Sequence, residues 1–171
     1  MNPDAALETR LAQWGISLPP APEPKGLYRP LIVLGDLAYT AGHLPVRADG
    51  SLVTGRAGAD LDVAAAAEAA RHAALGILAT LKKGLGSLGR VRRVVKVLGL
   101  VNATPEFTEQ PTVLNGCSEL FRDVFGAVAG VGVRSAVGVA GLPLGAAVEI
   151  EAVFEIDPRA ELPPPSAEAR S

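Results

Sequence analysis

Apolar residues in this chain recur with two different periods, and the places where the period changes mark its elements. Between Asp60 and Lys83, the residues Val63, Ala67, Ala70, Ala74, Ile77 and Leu81 return every three or four positions. That spacing predicts an amphipathic helix, with Asp60 as its cap and Gly84 as its stop. A second helix is predicted after Thr108, its cap, with Pro111 in the first turn and Gly126 near the end. Val113, Leu114, Cys117, Leu120, Phe121 and Val124 form its apolar stripe. Strand-like runs surround the helices. Leu31-Ile32-Val33-Leu34 and Leu37-Ala38-Tyr39-Thr40-Ala41 flank a Gly35-Asp36 turn and read as a hairpin, and Ala48-Asp49-Gly50 reads as a further turn. Residues 91–101 carry Val and Leu on both faces, which predicts a strand covered on both sides. Residues 134–140 and 146–156 predict two more strands around Leu142-Pro143-Leu144-Gly145. At the N-terminus, Leu7, Leu11 and Trp14 sit at helical spacing after Asp4 as cap and before Gly15 as stop, with Trp14 expected to anchor the segment. Pro19, Pro20, Pro22 and Pro24 then make a stiff extended connector.

The order hairpin, helix, strand, helix, strand, strand predicts an α+β fold with two helices packed on one face of a mixed sheet. Leu, Val and Ala populate the other face as well, and two helices cover only one. Further copies of the same chain are the economical cover, so a homo-oligomer is expected. The chain divides into an N-terminal helix and Pro-rich connector (1–24), one domain (25–157) and a tail (158–171) whose Pro163-Pro164-Pro165 and small polar residues predict disorder.

Composition narrows the functional classes. With 171 residues the chain fits a single domain with its own core. Sixteen Lys and Arg against eighteen Asp and Glu leave a net charge of -2, which provides no basic footprint for a phosphate backbone. One Trp, two Tyr and four Phe are too few for a base-stacking platform, so nucleic acid is not an expected partner. The single cysteine, Cys117, excludes an internal disulfide and a multi-thiolate metal site. No run approaches about 18 apolar residues, and Met1-Asn2-Pro3-Asp4 does not begin a secretory leader. A cytoplasmic protein without a membrane partner is expected, and Asn102-Ala103-Thr104 then has no consequence as a glycosylation pattern.

Candidate chemistry is sparse. Arg134 launches an apolar strand, and Glu149 follows on the next predicted strand. Guanidinium matches a carboxylate through two parallel hydrogen bonds, so this pair reads either as a pocket for a small acid or as a solvated pair at a strand end. Glu149 and Glu151 share one face of their strand; if that face meets another subunit, Arg134 is the natural partner. Gly84-Leu85-Gly86-Ser87-Leu88-Gly89 matches G-x-G-x-x-G, but a helix precedes it and a strand follows, the reverse of a phosphate cradle. It reads as a helix stop and a turn. Of the two histidines, His72 reads as a helix-surface side chain and His43, after Gly42 at a strand end, as a residue bordering a pocket. Cys117 lies on an apolar stripe and reads as an inert core thiol.

Arg134-Ser135-Ala136-Val137 with Leu142-Pro143, then Val148-Glu149-Ile150-Glu151, and earlier Ala41-Gly42-His43-Leu44-Pro45, together resemble the RidA (YjgF) family of reactive-intermediate deaminases, once labelled L-PSP endoribonucleases. The resemblance covers about residues 25 to 156. It implies a chorismate-mutase-like fold assembled as a homotrimer, with pockets at the subunit interfaces. Arg134 corresponds to the family's carboxylate-binding arginine and Glu149 to its water-positioning glutamate, both catalytic. Tyr28, Gly42, His43, Ala136 and Asn115 fall on substrate-binding positions. The implied activity is hydrolysis of small carboxylate-bearing enamines and imines, such as 2-aminoacrylate, to 2-keto acids and ammonia, without metal or organic cofactor. The alternative is a trimer that binds a small keto acid without turnover, and ribonuclease activity ranks below both. The chain departs from the best-known branch at Ala136, where that branch has a cysteine, and at Ala41, His43 and Gly138.

Overall fold

The computed structural model describes residues 3–158, and side chains from residue 7 onward. The first helix begins at Pro3, so Asp4 lies inside it rather than at the expected cap position, and the expected disorder of residues 159–171 lies outside the described residues. Among these residues the chain forms α1 (Pro3–Gln13), β1 (Leu31–Leu34), β2 (Leu37–Thr40), α2 (Val63–Leu85), β3 (Val91–Asn102), α3 (Gln110–Phe125), β4 (Val133–Val139) and β5 (Val148–Ile156). The strands form one mixed sheet in the order β1-β2-β5-β3-β4, and α2 and α3 pack on one of its faces. This is the expected α+β architecture. β3 and β4 run parallel, so a crossover must join them, and α3 supplies it. All other neighbours are antiparallel. β5 therefore lies between β2 and β3, and β4 and β5, consecutive in sequence, are not neighbours in space.

Local chemistry explains where the boundaries differ from expectation. The α2 cap is Asp62, whose carboxylate accepts from the Ala65 N–H at 2.7 Å, while Asp60 accepts from the Arg56 N–H at 2.8 Å in the preceding turn. The helix passes through Gly84 and stops at Gly86, which takes the left-handed conformation with φ 81°. Gly84 is small for packing: a β-carbon there would strike the Leu31 side chain. Thr108 does not cap α3; Glu109 occupies that position without a side-chain bond, and Pro111 enters the first turn as expected. The G-x-G-x-x-G run ends a helix and leads through the short 3-10 turn Leu88–Arg90 into β3. In α1, Gly15 and Ile16 close the helix with bonds to the Ala12 and Leu11 carbonyls, a Schellman ending that leaves Trp14 as the cap pointing outward. Trp14 is 54% exposed and does not anchor the segment; Leu11 and Ile16 are the buried residues.

The core lies between the sheet and the two helices. Phe121 and Phe154 meet edge to face at 5.5 Å between ring centroids, and Phe125 completes the group at 6.3 Å from each. Gly116 brings α3 close to α2, because a β-carbon there would overlap the Ala67 carbonyl. The opposite sheet face has no cover within one chain. Ile32, Leu34, Val133 and Val137 are exposed there, Leu34 by 70% and Val133 by 69%, and Leu98 and Leu100 are half-buried. β3 is thus covered on one side in the single chain, not on both. No helix among the described residues is long and apolar enough to cross a membrane.

Candidate functional site

Strand register decides which candidate residues meet. Residues opposite each other in a ladder share a sheet face, and successive residues alternate. Arg134 lies opposite Val97, which lies opposite Ala152, and both of these are buried under the helices. Glu149 lies opposite Leu100, on the uncovered face. Arg134 and Glu149 therefore sit on opposite faces of the sheet with β3 between their strands, and no ion pair joins them among the described residues. The expectation of two adjacent strands carrying this pair does not hold within one chain, because β5 inserts between β2 and β3 rather than beside β4.

On the uncovered face, β5 and the segment after β2 build the carboxylate half. His43 and Ile150 exchange backbone hydrogen bonds, His43 N–H to the Ile150 carbonyl at 2.8 Å and Ile150 N–H to the His43 carbonyl at 3.1 Å. That bridge sets Gly42 beneath Glu149, so closely that a β-carbon on residue 42 would overlap the Glu149 carboxyl. The absence of a side chain at Gly42 is what gives the carboxyl its place. Burial raises the Glu149 carboxyl above its ordinary value, and the neighbouring Glu151 charge adds to the shift. Tyr28 is exposed on the loop before β1; the Pro30 carbonyl of that loop accepts the Ala41 N–H at 3.0 Å, which brings the loop beside Gly42.

His43 itself points the other way. Its ring is buried, with Nδ1 2.7 Å from the Ala41 carbonyl and Nε2 2.7 Å from the Thr80 hydroxyl of α2. A carbonyl only accepts, so Nδ1 carries the proton and Nε2 of the neutral ring accepts from Thr80. Burial lowers its proton affinity and the Ala41 carbonyl partly offsets that. The expectation that His43 borders a pocket is corrected: its pairing with Ile150 turns the ring toward the helices, where it fixes the turn that carries Gly42.

On the helix face, Arg134 reaches over α3. Nη1 donates to the Ser118 hydroxyl at 3.0 Å and Nη2 to the Pro111 carbonyl at 3.0 Å. Asn115 lies between those two residues on the same side of the helix, at i+4 from Pro111 and i−3 from Ser118. Arg134, Asn115 and Ser118 border an open cleft of about 320 Å³ with Val94, Val97 and Arg122. Ala136 follows Arg134 on this face, half-buried opposite Gly99, and Gly138 lies under the Gln110 carboxamide. Cys117 is buried behind them, and burial pushes its thiol up to about 12, the reactivity of a core residue. His72 is half-buried on α2, 3.7 Å from Glu68. Among the described residues no three of His, Cys, Asp or Glu gather as a metal site.

The candidate residues thus form two half-sites, Gly42 with Glu149 and the Tyr28 loop on one face, and Arg134 with Asn115 and Ala136 on the other. Residues 8–152 match the family model described as "YjgF/chorismate mutase-like, putative endoribonuclease". The chain belongs to the YjgF (RidA) family. Protein TCP17 of Trypanosoma cruzi is 44% identical over 147 residues, 86% of this chain and 92% of that protein. The crystal structure of protein Atu1372 from Agrobacterium tumefaciens has a TM-score of 0.82 at 43% identity and covers 91% of this chain and 94% of its own. A crystal structure of a putative endoribonuclease from Shewanella oneidensis has a TM-score of 0.83 at 30% identity, covering 88% and 99%. Within this YjgF-family chain, sequence reasoning missed Ser118, the Pro111 carbonyl and Thr80. The positions of Pro111, Asn115 and Ser118 at one helical spacing were a signal for the first two; nothing in the sequence paired Thr80 with His43.

Proposed function

We propose that this protein is a cofactor-free hydrolase of small carboxylate-bearing enamines and imines, acting at clefts between chains of a homotrimer. The observation that carries the reading is the Glu149 carboxyl, seated over Gly42 on the uncovered apolar face with its proton affinity raised. A carboxyl in that state exchanges a proton with water or nitrogen more readily near neutral pH than a solvated one. Arg134 and Glu149 lie on opposite faces of one sheet, so a site that uses both takes each from a different chain. The exposed apolar residues of the uncovered face supply the surface for such an assembly.

The chemistry asks little of the protein. 2-Aminoacrylate shifts a proton from nitrogen to its terminal carbon and becomes the imine. Arg134 holds the carboxylate, the imine nitrogen takes a proton from solvent, and Glu149 takes a proton from a water as its oxygen bonds to the imine carbon and the carbon–nitrogen π pair moves onto nitrogen. Glu149 returns that proton to nitrogen, then takes the hydroxyl proton as the carbonyl forms and the carbon–nitrogen bond breaks; ammonia and pyruvate leave, and Glu149 gives the proton back to solvent. The net charge of -2 and the small aromatic content disfavour RNA as substrate.

The test generates 2-aminoacrylate with a dehydratase and follows its decay with native protein, Arg134→Ala and Glu149→Gln. Each variant alone is expected to lose activity by a factor on the order of 10² or more. Mixed and reassembled, the two variants recover activity at about a quarter of their interfaces, since one chain in each such pair still supplies Arg134 and its neighbour Glu149. Decay at the uncatalysed rate with native protein, or full activity in either variant, overturns the reading. Pyruvate binding that survives Glu149→Gln without any turnover by native protein points to the metabolite-binding alternative.

A further inference from the structure

We infer that Ser118 and the Pro111 carbonyl are positioning groups that hold the Arg134 guanidinium ready for an incoming carboxylate, so that Ser118 sets how tightly the site binds acids. The inference rests on the role proposed for Arg134 above. Arg134 stands on β4, an edge strand, and its side chain is exposed. A long cation in that setting normally samples many rotamers and must give them up when a ligand arrives. Here two of its five N–H donors are already engaged at 3.0 Å each, by groups two turns apart on α3, and three remain for a ligand. The frame behind them is stiff. Gly116 holds α3 against α2, and Cys117, next to Ser118, is fully buried. The helix therefore presents Ser118 and the Pro111 carbonyl as fixed acceptors, and the guanidinium plane follows them. Asn115, between the two, faces the same cleft and leaves the carboxylate a second polar neighbour.

The experiment measures binding of pyruvate and of its uncharged analogue pyruvamide by ligand-observed NMR, and turnover of 2-aminoacrylate, in native protein, Ser118→Ala, Ser118→Cys, Ser118→Thr and Arg134→Ala. Ser118→Ala and Ser118→Cys, which remove a good acceptor, are expected to weaken pyruvate binding and raise KM about 3- to 10-fold, with kcat within about twofold and pyruvamide binding unaffected. Ser118→Thr keeps the hydroxyl and should restore native affinity. A purely structural role would instead lower thermal stability and weaken pyruvate and pyruvamide together. Native pyruvate affinity in both Ser118→Ala and Ser118→Cys, with binding lost in Arg134→Ala, overturns the inference and leaves the proposed function standing. Native pyruvate affinity in Arg134→Ala overturns the proposed function itself, and this inference with it.

Discussion

A methyl group on residue 42 would occupy the space that the Glu149 carboxyl now fills, and the three atoms nearest to it all belong to the Glu149 side chain. The carboxyl is the mobile end of a side chain, so Gly42→Ala should move it rather than break the fold. We expect thermal stability close to native and a loss of enamine hydrolysis on the order of tenfold or more, read by steady-state kinetics. Glu149 also leaves a mark on stability. Its folded-state value is raised by burial, so its favourable contribution is complete below the ordinary carboxyl value and is lost as pH rises through the raised one. Glu149→Gln should therefore melt at a higher temperature than native protein at about pH 7, and the gap should close by about pH 4. His43 shows why this scale is hard to read from sequence. Alternation along a strand is visible in the residues, but the face each one takes is set by a partner, here Ile150, more than a hundred positions away.

At the scale of elements, α3 matters most for the site, because it carries Asn115, Ser118 and the Pro111 carbonyl. Its distance from α2 is set by Gly116 lying against the Ala67 backbone. Gly116→Ala gains about 1 kcal/mol of helix propensity. The added methyl meets backbone, which cannot turn aside, so we expect a net loss on the order of 1–3 kcal/mol in denaturant unfolding, together with weaker acid binding at Arg134. Both long helices were legible from their three-to-four spacing, and the hairpin from its Gly-Asp turn. The caps were less so. Asp60 and Asp62 both suit a helix start, and only the turn at Arg56 reveals that Asp60 is used there. Trp14 misled for a related reason: its spacing fits the stripe of α1, but the Schellman ending at Gly15 turns the chain one residue earlier than the stripe requires.

For the molecule as a whole, the uncovered sheet face predicts association. Val137→Glu places a charge opposite Leu100 and beside other apolar residues of β3 and β4 on that face, Leu98 and Val133, without touching the helix side. We expect it to convert an assembled native protein to monomers in sedimentation velocity, with far-ultraviolet circular dichroism retained and enamine hydrolysis lost. A native protein that sediments as a monomer at micromolar concentration would contradict this. The uncovered face was legible in the sequence, since more strand faces were apolar than two helices could hide. That Arg134 and Glu149 face apart was not, because strand order β1-β2-β5-β3-β4 is a property of long-range pairing. The same order has a consequence for biosynthesis. The central strand of the sheet, Val148–Ile156, is the last of the five to leave the ribosome, and until it emerges β2 and β3 each lack a neighbour. From the emergence of β3 until that of Val148–Ile156, nascent chains must carry two unpaired, apolar strand edges, so slow synthesis or a stalled message over that stretch should favour aggregates over folded protein.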